Sequence, residues 1–320
     1  MSSEQILEIK NLKVSFFSNK TEIPVIRGID FAIGKGKIMA LVGESGCGKT
    51  MTAMSILGLL PHNTSIVSGE VLFDGKEISK YSDRQLQKIR GKEISLIFQE
   101  PGLALNPVYT IGNQIGEVVK LHNRSVKNVK KETIRLLNAV RIPNPEQRIN
   151  AYPHELSGGM QQRALIAMAI AGQPKLIIAD EPTTALDVTV QAQILILLKE
   201  IVRELNTSVL LITHDLGIVA EVADTAAVMY AGKIVEFGDV YDIFHSPTHP
   251  YTKGLLASIP RLDKKQKRLS AIPGNVPDLS LLPAGCAFHP RCGFLVDQCK
   301  NKIPELRNIR GNHQVACDVI

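Results

Sequence analysis

Residues 43–50 read GESGCGKT, and this octet constrains the fold more tightly than any other stretch of the chain. It fits the pattern of Gly, four variable residues, Gly, Lys and Ser or Thr. Glycines let successive backbone N–H groups curl around phosphate oxygens. A helix that follows turns its positive end toward the same oxygens. The expected phosphate cradle is therefore Gly43, Glu44, Ser45, Gly46, Cys47, Gly48, Lys49 and Thr50, with Met51 next to it. Lys49 is expected to reach the terminal phosphates and Thr50 to ligate Mg²⁺. Cys47 fills a variable position and reads as a small structural residue. The flanks agree: Lys37–Val42 is a short apolar strand, and Thr50–Leu60 reads as a helix stopped by Pro61.

The rest of the chain supplies an α/β frame for such a loop. Leu7–Phe17 alternates apolar and polar residues, as a half-buried strand does. Between about residues 83 and 172 helical patterns dominate (83–90, 111–122, 126–140 and 159–171), with Ile94–Phe98 as a strand before most of them. Afterwards strands at 176–179, 209–213 and 226–230 alternate with a helix at 188–205 and a shorter one. That alternation predicts a mainly parallel sheet covered by helices. From about residue 240 eight prolines between Pro247 and Pro304 break any long element. The expected architecture is α/β, a P-loop NTPase core with an antiparallel β-subdomain and a helical insert. Residues 1–240 form that domain, and residues 241–320 a small extension that buries little by itself, where a metal staple is useful.

Of 320 residues, 44% are apolar, a globular composition, yet no run approaches the ~18 needed to cross a bilayer. The N-terminal MSSEQILEIK lacks the basic-then-apolar order of a signal peptide, so a cytosolic chain is expected, with any membrane association through a partner. The net charge of +6 suits a polyanionic ligand without demanding nucleic acid, and no nucleic-acid partner is expected. The basic run Arg261–Arg268 reads as a solvated linker.

Two further constellations bear on the nucleotide. Leu176–Asp180 is a buried-strand run ending in an acid, followed at once by Glu181. Alone this is as well read as two solvated acids. After a phosphate loop, Asp180 is a candidate for Mg²⁺ and Glu181 for polarising an attacking water. Ser157-Gly158-Gly159 opens a helical run and offers a second anion cradle, or a simple helix cap. One nucleotide already has a cradle, so a second makes sense over the nucleotide of another subunit. His214 follows a core strand, where α/β sheets build their sites.

The run LSGGMQQR resembles the signature of ATP-binding-cassette transporter ATPases. The order phosphate loop, Gln99, LSGG, Asp180-Glu181, Ala185-Leu186-Asp187 and His214 is that family's order, over about residues 5–240. The resemblance implies that Phe16 stacks on adenine, with Phe17 as the neighbouring candidate. It implies that Gln99 senses Mg²⁺ and the attacking water and links the nucleotide to the membrane subunits. Ser157, Gly158 and Gly159 would contact the γ-phosphate on a partner ATPase, Asp187 would lie at the dimer seam, and His214 would contact the γ-phosphate. Where the family most often has Gln after LSGG, this chain has Met160.

Four of the five cysteines, Cys286, Cys292, Cys299 and Cys317, crowd into the last 35 residues. In a cytosolic protein such clustering favours a metal or cluster site over disulfides. Spacing alone leaves zinc and iron–sulfur both open. The stretches SPTHPYTKGLLASIP, IPGNVPDL and GCAFHPRC resemble the C-terminal extension of oligopeptide, dipeptide and nickel uptake ATPases. Members of the dipeptide type hold a [4Fe–4S] cluster on this cysteine pattern, which the resemblance carries over, with zinc as the alternative. It also implies ATP and Mg²⁺ as ligands and a place on the cytoplasmic face of the membrane. The partners implied are a second, related ATPase, two transmembrane permeases and an extracytoplasmic binding protein. The expected function is energising peptide import. Its rivals are the same role for nickel or another small solute, a non-transport cassette in translation or DNA repair, and a metal-binding regulator without catalysis. One cassette without long coiled-coil insertions argues against the second, and intact Lys49, Asp180, Glu181 and His214 against the third.

Overall fold

The computed structural model describes residues 4–18, 21–184, 186–259 and 272–319. The basic run at 261–268, Pro260 and Ala185 lie outside the described residues. The chain divides into two compact units. One comprises residues 1–6, 34–37 and 81–211, and the other residues 7–33, 38–80 and 212–320.

In the first unit the strands Ile94–Ile97 and Leu176–Asp180 pair in parallel, from Ile94 opposite Leu176 to Ile97 opposite Ala179. Every residue of Leu176–Asp180 is buried, which is why it reads as an unbroken apolar run rather than an alternating one. Helices Ile111–His122, Val129–Ala139, Gly158–Ile170 and Val188–Leu205 belong to the same unit. Ile111, Ile115 and Val119 recur every four residues and are buried, the apolar stripe of a helix seated on a core. Two helix starts differ from expectation by local capping. Asn128 accepts the Lys131 N–H, so that helix begins at Val129 rather than Val126. Ser157 accepts the Met160 N–H, so the next begins at Gly158. The buried Arg163 donates to the Val140 carbonyl (2.8 Å) and to Gln193 (2.9 Å), tying this helix to its neighbours.

The second unit holds a four-stranded sheet in the order Thr21–Gly34, Gln5–Ser18, Thr64–Phe73, Lys76–Glu77. The pairing of Gln5–Ser18 with Thr64–Phe73 is antiparallel, with Leu7 opposite Phe73 and Phe16 opposite Thr64. In the same unit Ile38–Val42 lies parallel to Thr225–Tyr230. The latter pairs antiparallel with Lys233–Asp239, a strand that the sequence pattern does not announce. The hairpin turn is Ala231-Gly232, both at positive φ (44° and 79°), the type I′ geometry that matches strand twist. Lys233–Asp239 carries two short strands beyond it, His313–Val315 and then Arg307–Arg310. The helix after the phosphate loop, Lys49–Leu57, ends at Gly58 in left-handed conformation (φ 61°), not at Pro61.

The segment beyond residue 240 is not left without a core. Tyr251 and Phe288 share a buried apolar cluster with Ala40, Val42, Val228 and Tyr230. Pro250, instead of breaking a helix, occupies the first turn of Pro250–Ala257, where its missing N–H costs nothing. After Ala257 no described element exceeds four residues. Glu236, fully buried in Lys233–Asp239, anchors this region. It accepts the backbone N–H of Thr248 (2.7 Å) and His249 (3.0 Å) and pairs with His313 Nε2 (2.7 Å). A buried carboxylate is tolerable only when so satisfied. Among the described residues no helix is long and apolar enough to cross a membrane.

Candidate functional site

The phosphate loop lies in the second unit, between the wholly buried strand Ile38–Val42 and the helix Lys49–Leu57. Its glycines are required. A Cβ on Gly43 would stand 2.2 Å from the Met229 carbonyl oxygen, and Gly46 and Gly48 hold φ of 78° and 110°. The Lys49 ammonium is buried and donates to the carbonyls of Gly43 (2.8 Å) and Glu44 (3.1 Å), so the loop is already wrapped around it. Ser45, Gly46 and Thr50 are exposed, and Met51 is half-buried. Cys47 is fully buried and burial raises its thiol pKa, which suits the structural reading. The Gly232 N–H donates to the Cys47 carbonyl (2.9 Å), joining the loop to the hairpin turn.

Two contacts to this loop have no counterpart in the sequence reading. The Glu44 N–H donates to the Tyr251 hydroxyl at 2.9 Å. The Glu44 carboxylate accepts both terminal nitrogens of Arg291, at 2.7 and 3.0 Å. Arg291 is buried, and the bidentate Glu44 carboxylate raises its pKa against the opposing effect of burial. In the sequence Glu44 is only a variable loop position and Arg291 only the residue before Cys292.

Elsewhere in the second unit, Phe16 is half-buried on its strand, whereas Phe17 is 42% exposed. His214 is exposed just before the helix Leu216–Val222, whose cap Asp215 accepts the N–H of Gly217 (2.7 Å).

The first unit groups the other candidates. The Gln99 amide donates to Glu181 Oε2 (3.0 Å), and the Thr184 hydroxyl donates to the same oxygen (2.9 Å). Glu181 stands at φ 46°, a conformation uncommon for a residue with a side chain, directly after the buried Asp180. Ser157 and Gly158 are exposed at the start of their helix, so the cap and the exposed helix end coexist. A Cβ on Gly159 would stand 2.6 Å from Val190 Cγ1, so this glycine also permits close helix packing. Asp187 is exposed and caps Val188–Leu205 through the Val190 N–H (2.9 Å).

The four C-terminal cysteines are free thiols of the second unit. The Cys286 N–H donates to the Cys299 carbonyl (2.9 Å). Gly285 makes that approach possible: its φ is 70°, and a Cβ there would be 2.3 Å from the same oxygen. The Phe294 N–H points at Cys292 Sγ (3.4 Å). Burial, and then the fields of Cys299, Cys317 and Cys292, push the Cys286 thiol up, so all four sulfurs are electrostatic neighbours. Among the described residues no three His, Cys, Asp or Glu side chains group closely enough to hold one metal ion. Zinc needs all its thiolates at about 2.3 Å from a single centre. A multi-iron cluster spreads its thiolates over several metal atoms, and sulfur-directed N–H groups suit it.

Known proteins resemble this chain in sequence and in fold. The family described as "ABC transporter" matches residues 26–184, and "Oligopeptide/dipeptide transporter, C-terminal region" matches residues 235–299. The chain is 49% identical to the "Dipeptide transport ATP-binding protein DppD" of Bacillus subtilis, over 98% of this chain and 94% of that protein. It is 46% identical to the "Oligopeptide transport ATP-binding protein OppD" of Salmonella typhimurium, over 93% of this chain and 89% of that protein. Among solved structures, the dimeric ATP-binding cassette MJ0796 bound to ADP and Pi superposes with a TM-score of 0.66 at 26% identity, covering 73% of this chain and 98% of that one. A phosphate loop, an LSGG helix start, an Asp-Glu strand end and a cysteine-bearing extension thus occur together in a chain that belongs to the ATP-binding-cassette transporter ATPases, in their oligopeptide/dipeptide branch.

Proposed function

We propose that this chain energises the import of dipeptides and oligopeptides as one ATPase subunit of a multi-subunit transporter. The observation that carries the reading is similarity along nearly the whole chain, extension included, to dipeptide and oligopeptide transport ATP-binding proteins. ATP is assigned to Gly43–Thr50 and Met51, with Phe16 against the adenine. Thr50, Asp180 and Gln99 are assigned to Mg²⁺, which neutralises charge on the phosphates when bound. Glu181 polarises the attacking water, and the Gln99 and Thr184 donors on its Oε2 orient that carboxylate. His214 contacts the γ-phosphate. Ser157, Gly158 and Gly159 offer the exposed helix start to the nucleotide of a second, related ATPase, with Asp187 at the seam.

Leu103 and Val108 are 82% and 71% exposed, beside the half-exposed Tyr109. Apolar side chains so concentrated suit a docking surface, and we assign them to the two permeases. The chain then sits peripherally on the cytoplasmic face, served by an extracytoplasmic binding protein. Cys286, Cys292, Cys299 and Cys317 are assigned to a [4Fe–4S] cluster acting as a staple.

Reconstitution with both permeases and the binding protein tests the whole. ATP hydrolysis stimulated by dipeptides or oligopeptides is expected, and stimulation by nickel alone would refute the cargo assignment. Glu181→Gln is expected to abolish turnover while retaining ATP binding; near-normal hydrolysis sinks the role given to Glu181. Anaerobic purification should yield iron and acid-labile sulfide, whereas zinc without iron defeats the cluster.

A further inference from the structure

The phosphate loop is fixed at its second residue by side chains from the far end of the chain. Tyr251 holds the backbone of Glu44 and Arg291 holds its carboxylate. We propose that Arg291 is a positioning residue for ATP binding: it and Tyr251 hold Glu44, and through it the phosphate loop, in the shape that receives the phosphates. This rests on reading Gly43–Thr50 as the phosphate cradle.

The setting of Arg291 separates it from an ordinary surface ion pair, which contributes little. Its side chain is only 5% exposed, and each nitrogen of the guanidinium has a partner. Nε donates to the Pro273 carbonyl (2.9 Å), Nη1 to Glu44 and to the Tyr230 hydroxyl (3.4 Å), and Nη2 to the other Glu44 oxygen. The guanidinium stands 5.8 Å from the Tyr230 ring centre and 5.9 Å from that of Phe288. Those rings pack on Tyr251, at 4.6 and 5.4 Å. Arg291 and Tyr251 are therefore parts of one packed cluster, and a planar fork on a carboxylate fixes orientation as well as distance.

The loop needs such support. Gly46 and Gly48 both adopt positive φ, so the chain between Val42 and Lys49 has glycine's freedom to lose. Ordering a loop on binding weakens affinity, and a preorganised loop avoids that loss. The binding step should thus carry the effect of removing the clamp. Arg291 is not among the residues assigned to the reacting phosphate, so turnover at saturating ATP should change little.

The test measures ATP affinity of the full-length chain by displacement of a fluorescent nucleotide, with KM and kcat from steady-state hydrolysis. Arg291→Ala should raise Kd and KM about tenfold and leave kcat within about twofold. Arg291→Lys, which keeps the charge but not the fork, should recover part of the affinity. Glu44→Gln should weaken binding, and the double variant Arg291→Ala/Glu44→Gln should be no weaker than Arg291→Ala, because the two side chains act as one contact. Tyr251→Phe keeps the ring and removes the hydroxyl, so it carries the test if Arg291→Ala does not fold. Parental affinity in Arg291→Ala, or in Tyr251→Phe and Glu44→Gln if that variant does not fold, overturns the proposal, as do fully additive effects. Lys49→Ala separates the two readings: loss of ATP binding there leaves the cradle standing whatever Arg291 does, and parental binding removes both.

Discussion

His249 should make this protein acid-sensitive in a way that one substitution removes. Its ring is 1% exposed, and its Nδ1 accepts the Tyr251 N–H (3.0 Å) at the start of the helix Pro250–Ala257. Burial, helped by the nearby Lys253 ammonium, brings its pKa from 6.5 to about 3. The folded value is depressed, so below pH 6.5 the unfolded chain takes up a proton that the folded chain refuses. Stability is intact above about 6.5 and falls, as pH drops toward about 3, by about 1.4 kcal/mol per unit. At pH 5 the loss is about 2 kcal/mol. His249→Asn keeps a capping acceptor but cannot titrate. Above pH 6.5 it should be about 1 kcal/mol less stable than the parent, because the ring contact with Phe288 (5.8 Å) goes. Guanidinium unfolding at pH 7.5 and pH 5, read by a probe of the second unit, gives the comparison. The parent should lose about 2 kcal/mol more than the variant between the two. Equal losses would show that His249 is protonated in the folded state and would refute the argument.

Other variants probe the extension and the insert. Gly285→Ala puts a Cβ 2.3 Å from the Cys299 oxygen at φ 70°, so about 1–2 kcal/mol of backbone strain is joined by a clash that pushes Cys299 away from Cys286; under the cluster assignment proposed above, iron recovered after anaerobic purification should fall sharply. Leu103→Asp changes a side chain that is 82% exposed, so folding stability should stay within about 0.5 kcal/mol while co-purification with the permeases is lost.

How much was legible depended on where each residue's partners lie. The strand Leu176–Asp180 was readable because both its faces are buried, so burial writes itself as a continuous apolar run. The phosphate loop was readable because its glycines meet a local demand, the positive φ of Gly46 and Gly48. Lys233–Asp239 was not, because Glu236 interrupts its apolar character. The N–H groups of Thr248 and His249 and the ring of His313 explain an acid at that depth. The stop at Gly58 was missed because Pro61 is the louder breaker, although glycine had already closed the helix. Among the site candidates, Gln99 and Glu181 were named singly, but their hydrogen bond spans 82 residues and leaves no periodic trace. The Arg291–Glu44 pair spans 247 residues, and neither residue type is demanded by its neighbours.

That separation has a consequence for how the protein is made. The phosphate loop leaves the ribosome early, but Tyr251 follows Glu44 by 207 residues and Arg291 by 247. At about 5–20 residues per second, roughly ten to fifty seconds of synthesis separate the loop from its clamp. Contacts so distant in sequence form late, because the intervening chain must first be closed into a loop. A nascent or truncated chain therefore carries the phosphate motif without its finished shape. With the clamp proposed above, firm binding of ATP waits until Tyr251 and Arg291 have been made and folded onto the loop.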